Sequence, residues 1–169
     1  MNRVWAIVSL VVALSISLVY CDVTPAVQCP DLEFDNLLQR VEVLPCGPKG
    51  CKLRKGTNIT VNFNFKPDHK VKSLTNRVSA ILVGTLQLPF IGVDGTSVCD
   101  RVTRADSGAA APCPLEPGTE YKVTTIVPVE PYYPSAKLTV HWSLDSQEGS
   151  VICFRVPARI VDGKPTRGS

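Results

Sequence analysis

The sequence has few of the side chains from which enzymes build active sites. Only two of its 169 residues are histidines, and His69 lies in a charged segment while His141 lies on the polar side of an alternating one. Both are therefore expected to be solvated, which leaves no base beside a Ser or Cys nucleophile. Acidic residues fall mostly on turns or polar faces, so no pair converges for acid–base chemistry. The sequence predicts no catalytic residues and no enzymatic activity.

Motifs for cofactors, metals and nucleic acids are absent as well. The chain has no Gly-rich phosphate loop, and its cysteines lack the paired short spacings of a zinc site. The formal net charge is only +3, and Leu53 interrupts the longest basic cluster, at residues 52–55. Nucleic-acid binding requires a basic stripe. We therefore predict no cofactor, no bound metal and no nucleic-acid partner.

Long apolar runs are limited to the N-terminus. Residues 4–20 are apolar except for three serines, and Arg3 precedes them. This layout predicts a secretory signal peptide over residues 1–21, followed by the polar Asp22. An uncleaved membrane anchor is the alternative, because a run of this length nearly spans a bilayer. We expect residues 22–169 to form one secreted domain with its core in residues 27–161.

Six of the seven cysteines lie beyond residue 21, and an even number in an exported chain indicates disulfides. Six cysteines allow many pairings, which the sequence alone does not resolve. Spacing narrows the choice, because two pairs flank short turn-forming or Gly- and Ala-rich stretches. The favoured pairs are Cys46 with Cys51, Cys99 with Cys113 and, by exclusion, Cys29 with Cys153.

Apolar and polar residues alternate along much of the chain, which is typical of strands with one buried face. The clearest strands are predicted at residues 57–66, 136–144 and 152–160, and weaker ones at 37–44, 77–88 and 120–127. Cys153 is predicted to face away from the core, where an N-terminal segment could reach it. No segment keeps a helical period, and 14 prolines interrupt the chain. The pattern predicts an all-β sandwich of two antiparallel sheets.

Three short segments combine proline with apolar or aromatic residues at predicted strand ends: Leu88-Pro89-Phe90, Val127-Pro128-Val129 and Tyr132-Tyr133-Pro134. Proline does not serve a central strand, so these segments belong at edges or rims. They either plug the ends of the sandwich or form an apolar mouth to a cavity between the sheets.

Asn58-Ile59-Thr60 is a glycosylation sequon, and Asn58 falls on the polar face of its predicted strand. A glycan at Asn58 would therefore leave the core undisturbed.

Several motifs together resemble the ML lipid-recognition domain family. They follow one another in order between residues 29 and 161 and include all six of these cysteines. The motifs are Pro45-Cys46, Cys51-Lys52-Leu53, Lys55-Gly56, Leu88-Pro89-Phe90, Asp94-Gly95, Cys113-Pro114-Leu115, Val127-Pro128-Val129, Tyr133-Pro134-Ser135, Lys137-Leu138, Trp142 and Cys153-Phe154 with the residues up to Pro157.

The resemblance implies an immunoglobulin-like β-sandwich whose two antiparallel sheets hold one lipid in an apolar cavity. It implies a portal formed by Phe90, Val129 and Tyr133. The pocket residues that it implies are Ile59, Val61, Phe63, Tyr121, Val127, Pro128, Pro134, Val140, Trp142 and Phe154. Glu130 and Ile91 stand where sterol carriers of the family have a lysine and a proline.

By the same resemblance, the protein is expected to bind and transfer a lipid, namely cholesterol or a related sterol in intracellular sterol transport. The alternative is an innate-immune or chemosensory lipid-recognition module of the same fold. The expected partners are the sterol or other apolar lipid and, transiently, membranes or a membrane sterol transporter. The expected state is a monomer, either extracellular or in the endosome-lysosome lumen.

Overall fold

The computed structural model describes residues 24–30, 32–47, 50–82 and 86–163. The predicted signal peptide and Cys21 lie outside these residues. Within the described part of the chain, no helix has the length and hydrophobicity needed to span a membrane.

Nearly all regular structure is β. The strands are β1 (Val27–Gln28), β2 (Val41–Leu44), β3 (Cys46–Gly47), β4 (Gly50–Arg54), β5 (Thr57–Phe65), β6 (Thr75–Ile81), β7 (Gln87–Pro89), β8 (Val102–Arg104), β9 (Tyr121–Val129), β10 (Lys137–Ser146) and β11 (Gly149–Val161). Among the described residues, one short helix, α1, spans Leu37–Arg40, and a single 3₁₀ turn spans Cys99–Arg101.

These strands form two sheets, which confirms the predicted sandwich. The 7-stranded larger sheet has the order β3-β4-β11-β10-β6-β7, and β1 also pairs with β11. The 4-stranded smaller sheet has the order β2-β5-β9-β8. One pairing differs from the expected antiparallel arrangement, since β4 runs parallel to β11. After β4 the chain turns at Gly56, with φ of 73°, and crosses directly into the smaller sheet. Strand β4 therefore has its hairpin partner β3 on one side, and no hairpin connects it to β11 on the other.

Alternation places the core between the sheets. In β5 the inward residues Ile59, Val61, Phe63 and Phe65 are all at most 6% exposed, while the residues between them are partly or fully exposed. In β11 every second residue from Ile152 to Ile160 is buried in the same way. The three strongest strand predictions are thus confirmed, with ends that differ by at most three residues.

Two weaker strand predictions need correction. Residues 37–44 begin as helix α1 and become strand only at Val41, and Asn36, just before the helix, has the left-handed conformation that Asn tolerates. Residues 77–88 are two strands, β6 and β7, rather than one. They pair antiparallel, which brings Ala80 opposite Leu88.

Three disulfides join the cysteine pairs that spacing favoured. Their Cα–Cα distances are 5.7 Å for Cys29–Cys153, 4.4 Å for Cys46–Cys51 and 5.1 Å for Cys99–Cys113. The first pair fixes β1 to β11, as expected for a Cys153 that faces away from the core.

Candidate functional site

An apolar cavity of about 280 Å³ lies at one end of the sandwich. It is framed by β6, β7, the starts of the chain segments that follow β7 and β9, and the paired ends of β10 and β11. Its lining residues are Ala80, Leu82, Leu88, Pro89, Phe90, Ile91, Tyr132, Tyr133, Pro134, Ala136, Leu138 and Ile160. The two tyrosines are the only ones of these side chains that carry a polar group.

Aromatic rings form the mouth of this cavity. Phe90 and Tyr133 meet edge to face, with ring centroids 6.0 Å apart and an interplanar angle of 89°. Tyr132 packs against Tyr133 at 5.2 Å in a second edge-to-face contact. Edge-to-face geometry is favourable for aromatic pairs, so the three rings support one another. Burial raises the pKa of Tyr133, and the nearby Tyr132 and Glu130 act in the same direction, so its hydroxyl stays protonated and able to donate.

Backbone hydrogen bonds hold Phe90 at the mouth. Its N–H donates to the Val78 carbonyl at 2.9 Å, which continues the β6–β7 pairing by one residue. The Phe90 carbonyl accepts from Val93 and Asp94, at 3.1 and 2.9 Å, and closes a turn. The Asp94 carboxylate then accepts from the Val78 N–H at 2.8 Å. The sequence motif Asp94-Gly95 therefore anchors the loop that carries Phe90.

The rim of the mouth is apolar and exposed. Leu88 is 43% exposed, Ile91 66% and Tyr132 68%. Leu86, adjacent in the chain to β7, is 54% exposed. A concentration of large exposed apolar side chains around an opening indicates a surface that meets an apolar partner.

Deeper between the sheets, the predicted pocket residues pack against one another. The Phe63 ring lies 5.9 Å from Trp142 and 5.7 Å from Phe154, and Trp142 stacks on Phe154 with centroids 6.2 Å apart. Ile59, Val61 and Val127 are also buried, and Val140 is partly buried against this core. These residues face the space between the sheets, as alternation predicted, but they fill it.

The predicted portal is only partly assembled at the cavity. Phe90 and Tyr133 form its mouth, and Pro134 lines it although it is exposed. Val129 is 2% exposed at the end of β9 and lies outside the cavity lining.

Two residues predicted for the pocket lie elsewhere. Pro128 points to the outer face of the smaller sheet, opposite Asn58, because the alternation of β9 continues to its end. Tyr121 begins β9, roughly 25 Å along the strand from Val129. There it packs on Phe65, and its hydroxyl accepts from the Glu116 N–H at 3.0 Å.

Sequence reasoning missed part of the lining. Leu138 and Ile160 belong to alternating strands and were expected in the core, and Ala80 falls in the weaker strand predicted at 77–88. Nothing in these patterns marks the three residues as the end that stays open. Ile91 and Tyr132 carried the clearest signal, since Ile91 adjoins one of the proline-containing segments that were expected at a rim and Tyr132 belongs to another.

Neither histidine lies in the cavity lining. His69 Nδ1 is 2.6 Å from Asp68 and its Nε2 is 2.8 Å from the Ser146 hydroxyl. That hydroxyl also donates to the Gly149 carbonyl at 2.9 Å and accepts from the Glu148 N–H, so these contacts close the β10–β11 turn.

One group of described residues has spacing suitable for metal ligands. His141 lies over the Cys29–Cys153 disulfide, with its Nδ1 3.6 Å from Cys29 Sγ and its Nε2 3.9 Å from Cys153 Sγ. The two sulfurs are bonded to each other and therefore offer no thiolate to a metal ion.

Three cations stand in a row on the outer face of the larger sheet, beside the cavity end. Arg159 lies opposite Lys137 of β10 and opposite Lys52 of β4. All three are exposed, and none has an ion-pair partner within the described residues. Like charges directly opposite each other are unfavourable for a sheet, so the row is costly unless an anion binds there.

The fold and the apolar cavity define a β-sandwich with a site suited to an apolar ligand, and comparison with known proteins gives the family. The family model described as ML domain matches residues 15–160. The chain therefore belongs to the ML domain family, as its motifs predicted.

Relatives and a solved structure agree with this assignment. The chain is 31% identical over 130 residues to "NPC intracellular cholesterol transporter 2" of Danio rerio, covering 76% of this chain and 80% of that protein. It is 28% identical over 116 residues to the "Ecdysteroid-regulated 16 kDa protein" of Manduca sexta, covering 69% and 74%. A Niemann-Pick type C2 protein from Japanese carpenter ant shares the fold, with a TM-score of 0.58 and 21% identity over 72% of this chain and 89% of that one.

Membership in the ML domain family indicates which kind of activity the protein has. ML domain proteins are lipid-binding proteins, and the chain is accordingly a lipid-binding protein rather than an enzyme.

Proposed function

We propose that the protein binds a sterol, cholesterol or a close relative, in the cavity at the end of the sandwich and transfers it between membranes. The observation that carries this proposal is an apolar cavity with an exposed apolar rim in a relative of cholesterol transporters. Burying about 300 Å² of sterol surface at about 25 cal/mol per Å² provides several kcal/mol before association costs. Binding then needs no chemical step, because burial of apolar surface alone holds the ligand.

The lining also determines which end of the sterol faces the mouth of the cavity. Its inner wall, formed by Ala80, Leu138 and Ile160, offers no polar side chain to a sterol hydroxyl. An unpaired hydroxyl at that depth would lose its hydrogen bonds to water. The hydroxyl end therefore faces the mouth, beside the tyrosines and the solvent.

A cavity-filling substitution tests the proposed site. Ala136 lines the cavity, and Ala136→Phe would occupy part of its volume without adding charge. We expect the affinity for a fluorescent sterol to fall at least tenfold, as measured by titration. Ala109→Phe is the matched control, because Ala109 is exposed in the loop between Cys99 and Cys113, and its affinity should equal that of the wild type. Equal affinities in all three proteins would refute the site.

Transfer requires contact with a membrane, and the surface around the mouth suits one. The apolar rim of Leu88, Ile91 and Tyr132 can enter the apolar part of a bilayer. The nearby row of Lys52, Lys137 and Arg159 can meet anionic headgroups, each cation contributing on the order of 1 kcal/mol. In this proposal the row supplies the positive charge that sterol carriers of the family have as a lysine at the position of Glu130.

Charge reversal separates docking from sterol binding. We expect Lys137→Glu combined with Arg159→Glu to slow sterol transfer to anionic vesicles several-fold, with little change for neutral vesicles. Sterol affinity should stay the same. Lys122→Glu combined with Lys66→Glu is the control with the same change in net charge, since Lys122 faces outward on the smaller sheet and Lys66 is exposed just after β5. If the control slows transfer equally, net charge rather than the row is responsible.

This function fits a protein that is secreted and acts as a monomer, outside the cell or in the endosome-lysosome lumen. Lipid recognition in immunity or chemosensing is the second candidate, favoured by 29% identity over 126 residues to the "MD-2-related lipid-recognition protein" of Manduca sexta. Mass spectrometry of lipid extracted from the protein purified from its own source decides between them. A sterol supports transport, whereas a bacterial lipid or a volatile signal supports recognition.

A further inference from the structure

The outer face of the smaller sheet carries an apolar patch at the end where β9 finishes. Leu44 is 47% exposed and Ile126 is 62% exposed. They lie opposite Thr60 on its two sides, since Thr60 pairs with Leu44 in β2 and with Ile126 in β9. Pro128, also exposed, lies two residues beyond Ile126 on the same face. We call these three side chains, Leu44, Ile126 and Pro128, the outer patch.

Asn58 of the sequon lies in the middle of the outer patch. It is exposed on the same face and pairs directly with Pro128. Thr60 is two residues away in the same strand, so the partners of Thr60, Leu44 and Ile126, are the diagonal neighbours of Asn58. Direct neighbours across strands have Cβ atoms about 5 Å apart and diagonal ones about 7–8 Å. All three apolar side chains are therefore within reach of a group attached to Asn58.

The rest of this face is organised differently. In the next row, Asn62 donates to the Glu42 carboxylate at 2.8 Å and accepts from the Thr124 hydroxyl at 2.7 Å. Those polar side chains satisfy one another across three strands. Asn58 makes no side-chain hydrogen bond with any described residue, although polar partners are the rule elsewhere on the face. Its amide is free to react, and its neighbours are apolar.

We propose that the outer patch is the contact surface of an N-linked glycan on Asn58, whose first sugar covers Leu44, Ile126 and Pro128. In the attachment step the amide nitrogen of Asn58 forms a bond to the anomeric carbon of N-acetylglucosamine. The bond from that carbon to its lipid-linked diphosphate donor breaks, the diphosphate leaves with the electron pair, and the amide loses one proton. The C–H face of the sugar then packs on the outer patch, which removes apolar surface from water.

The glycan would thus keep an exposed part of a β-sheet from associating with other apolar surfaces. The smaller sheet ends at β2, and an edge strand with an apolar neighbour invites pairing with another chain. A bulky, hydrated group beside it blocks that pairing.

The test uses protein secreted from a eukaryotic host. Intact mass first establishes whether Asn58 carries a glycan. An endoglycosidase then trims the glycan to one N-acetylglucosamine, and the trimmed protein is compared with Asn58→Gln by thermal unfolding. We expect the single sugar to raise Tm by about 2–4 °C. In an Ile126→Thr, Leu44→Thr background the same sugar should raise Tm by less than about 1 °C.

The Lys122→Thr background is the matched control, because Lys122 faces outward in the same strand but lies opposite Asn64, away from the outer patch. The sugar should keep its full effect there. An equal effect in all backgrounds, or a secreted protein without carbohydrate at Asn58, would overturn the proposal. So would a glycosylated dimer that Ile126→Thr converts to a monomer, since a second copy would then occupy the outer patch.

Discussion

The surroundings of His141 lower the pKa of its side chain. It lies on the outer face of β10, opposite Arg155 of β11 and Ser79 of β6, and over the Cys29–Cys153 disulfide. Burial lowers the pKa of His141, the positive charge of Arg155 lowers it further, and Asp145 opposes them. The folded protein therefore favours the neutral imidazole.

This environment predicts a stability that depends on pH. Above the ordinary histidine pKa of about 6.5, His141 is neutral in both folded and unfolded states and costs nothing. As the pH falls below that value, the unfolded chain takes up a proton that the folded state resists, so the free energy of unfolding falls. We expect His141→Gln to reduce this fall between pH 7 and pH 5 in urea titrations. His69→Gln is the control, and an equal slope in both variants would contradict the assignment to His141.

Residue alternation predicted which way Trp142 points but not what it bonds to. Its indole N–H donates at 3.2 Å to the side chain of Asn76, which is fully buried. Asn76 lies in β6 opposite Leu144 of β10, two residues from the Val78 that pairs with Trp142. This contact joins residues 66 positions apart in the chain and depends on the register between their two strands. Alternation within each strand gives the direction of a side chain but not which residue it meets across the strands.

At the scale of elements, β1 has only two residues but belongs to a segment that links the two sheets. It pairs with β11 of the larger sheet, and the Cys29–Cys153 bond fixes it there. Just before it, the Thr24 hydroxyl accepts from the Val43 N–H of β2, in the smaller sheet, at 2.9 Å. The segment from Thr24 to Cys29 therefore links the two sheets.

Removing the two long-range cysteines should be the most costly disulfide change. Cys29 and Cys153 are separated by 124 residues, and Cys46 and Cys51 by 5. Chain entropy then gives about 5 kcal/mol for the first bond and about 2 kcal/mol for the second. We expect the double Cys→Ser variant at 29 and 153 to lose more than twice the unfolding free energy lost by the variant at 46 and 51. Urea denaturation measures both, and equal losses would show that loop length does not determine the effect.

The strands were predicted correctly where one face is apolar and the other polar. The prediction failed where both faces are apolar. The strands β5, β10 and β11 have a wet and a dry side, and their inward residues were assigned correctly. The segment from Val78 to Leu86 has apolar residues at both alternating sets of positions, so its pattern does not distinguish a buried face from an exposed one. Periodicity therefore could not show that the chain turns between β6 and β7.

For the whole molecule, the sandwich is closed along most of its length and open at one end. The rings of Phe63, Trp142 and Phe154 fill the middle, and the cavity of about 280 Å³ remains beyond them. That volume is at the lower limit of about 300–1,000 Å³ for small-molecule pockets. A complete sterol therefore needs space from the middle, which the sheets can provide only by separating or by moving these rings.

The intrinsic fluorescence of Trp142 reports whether the rings move. The chain has two tryptophans, and the other, Trp5, lies within the predicted signal peptide. In a protein that begins at residue 22, a sterol that reaches past Leu138 would separate Trp142 from Phe63 and Phe154, shifting the emission maximum and changing its intensity in proportion to occupancy. Ala136→Phe should abolish the change at the same sterol concentration, because it prevents entry. Saturable sterol binding with an unchanged Trp142 emission would show instead that the ligand stays at the mouth, between Phe90 and Tyr133, and that the middle of the sandwich remains closed.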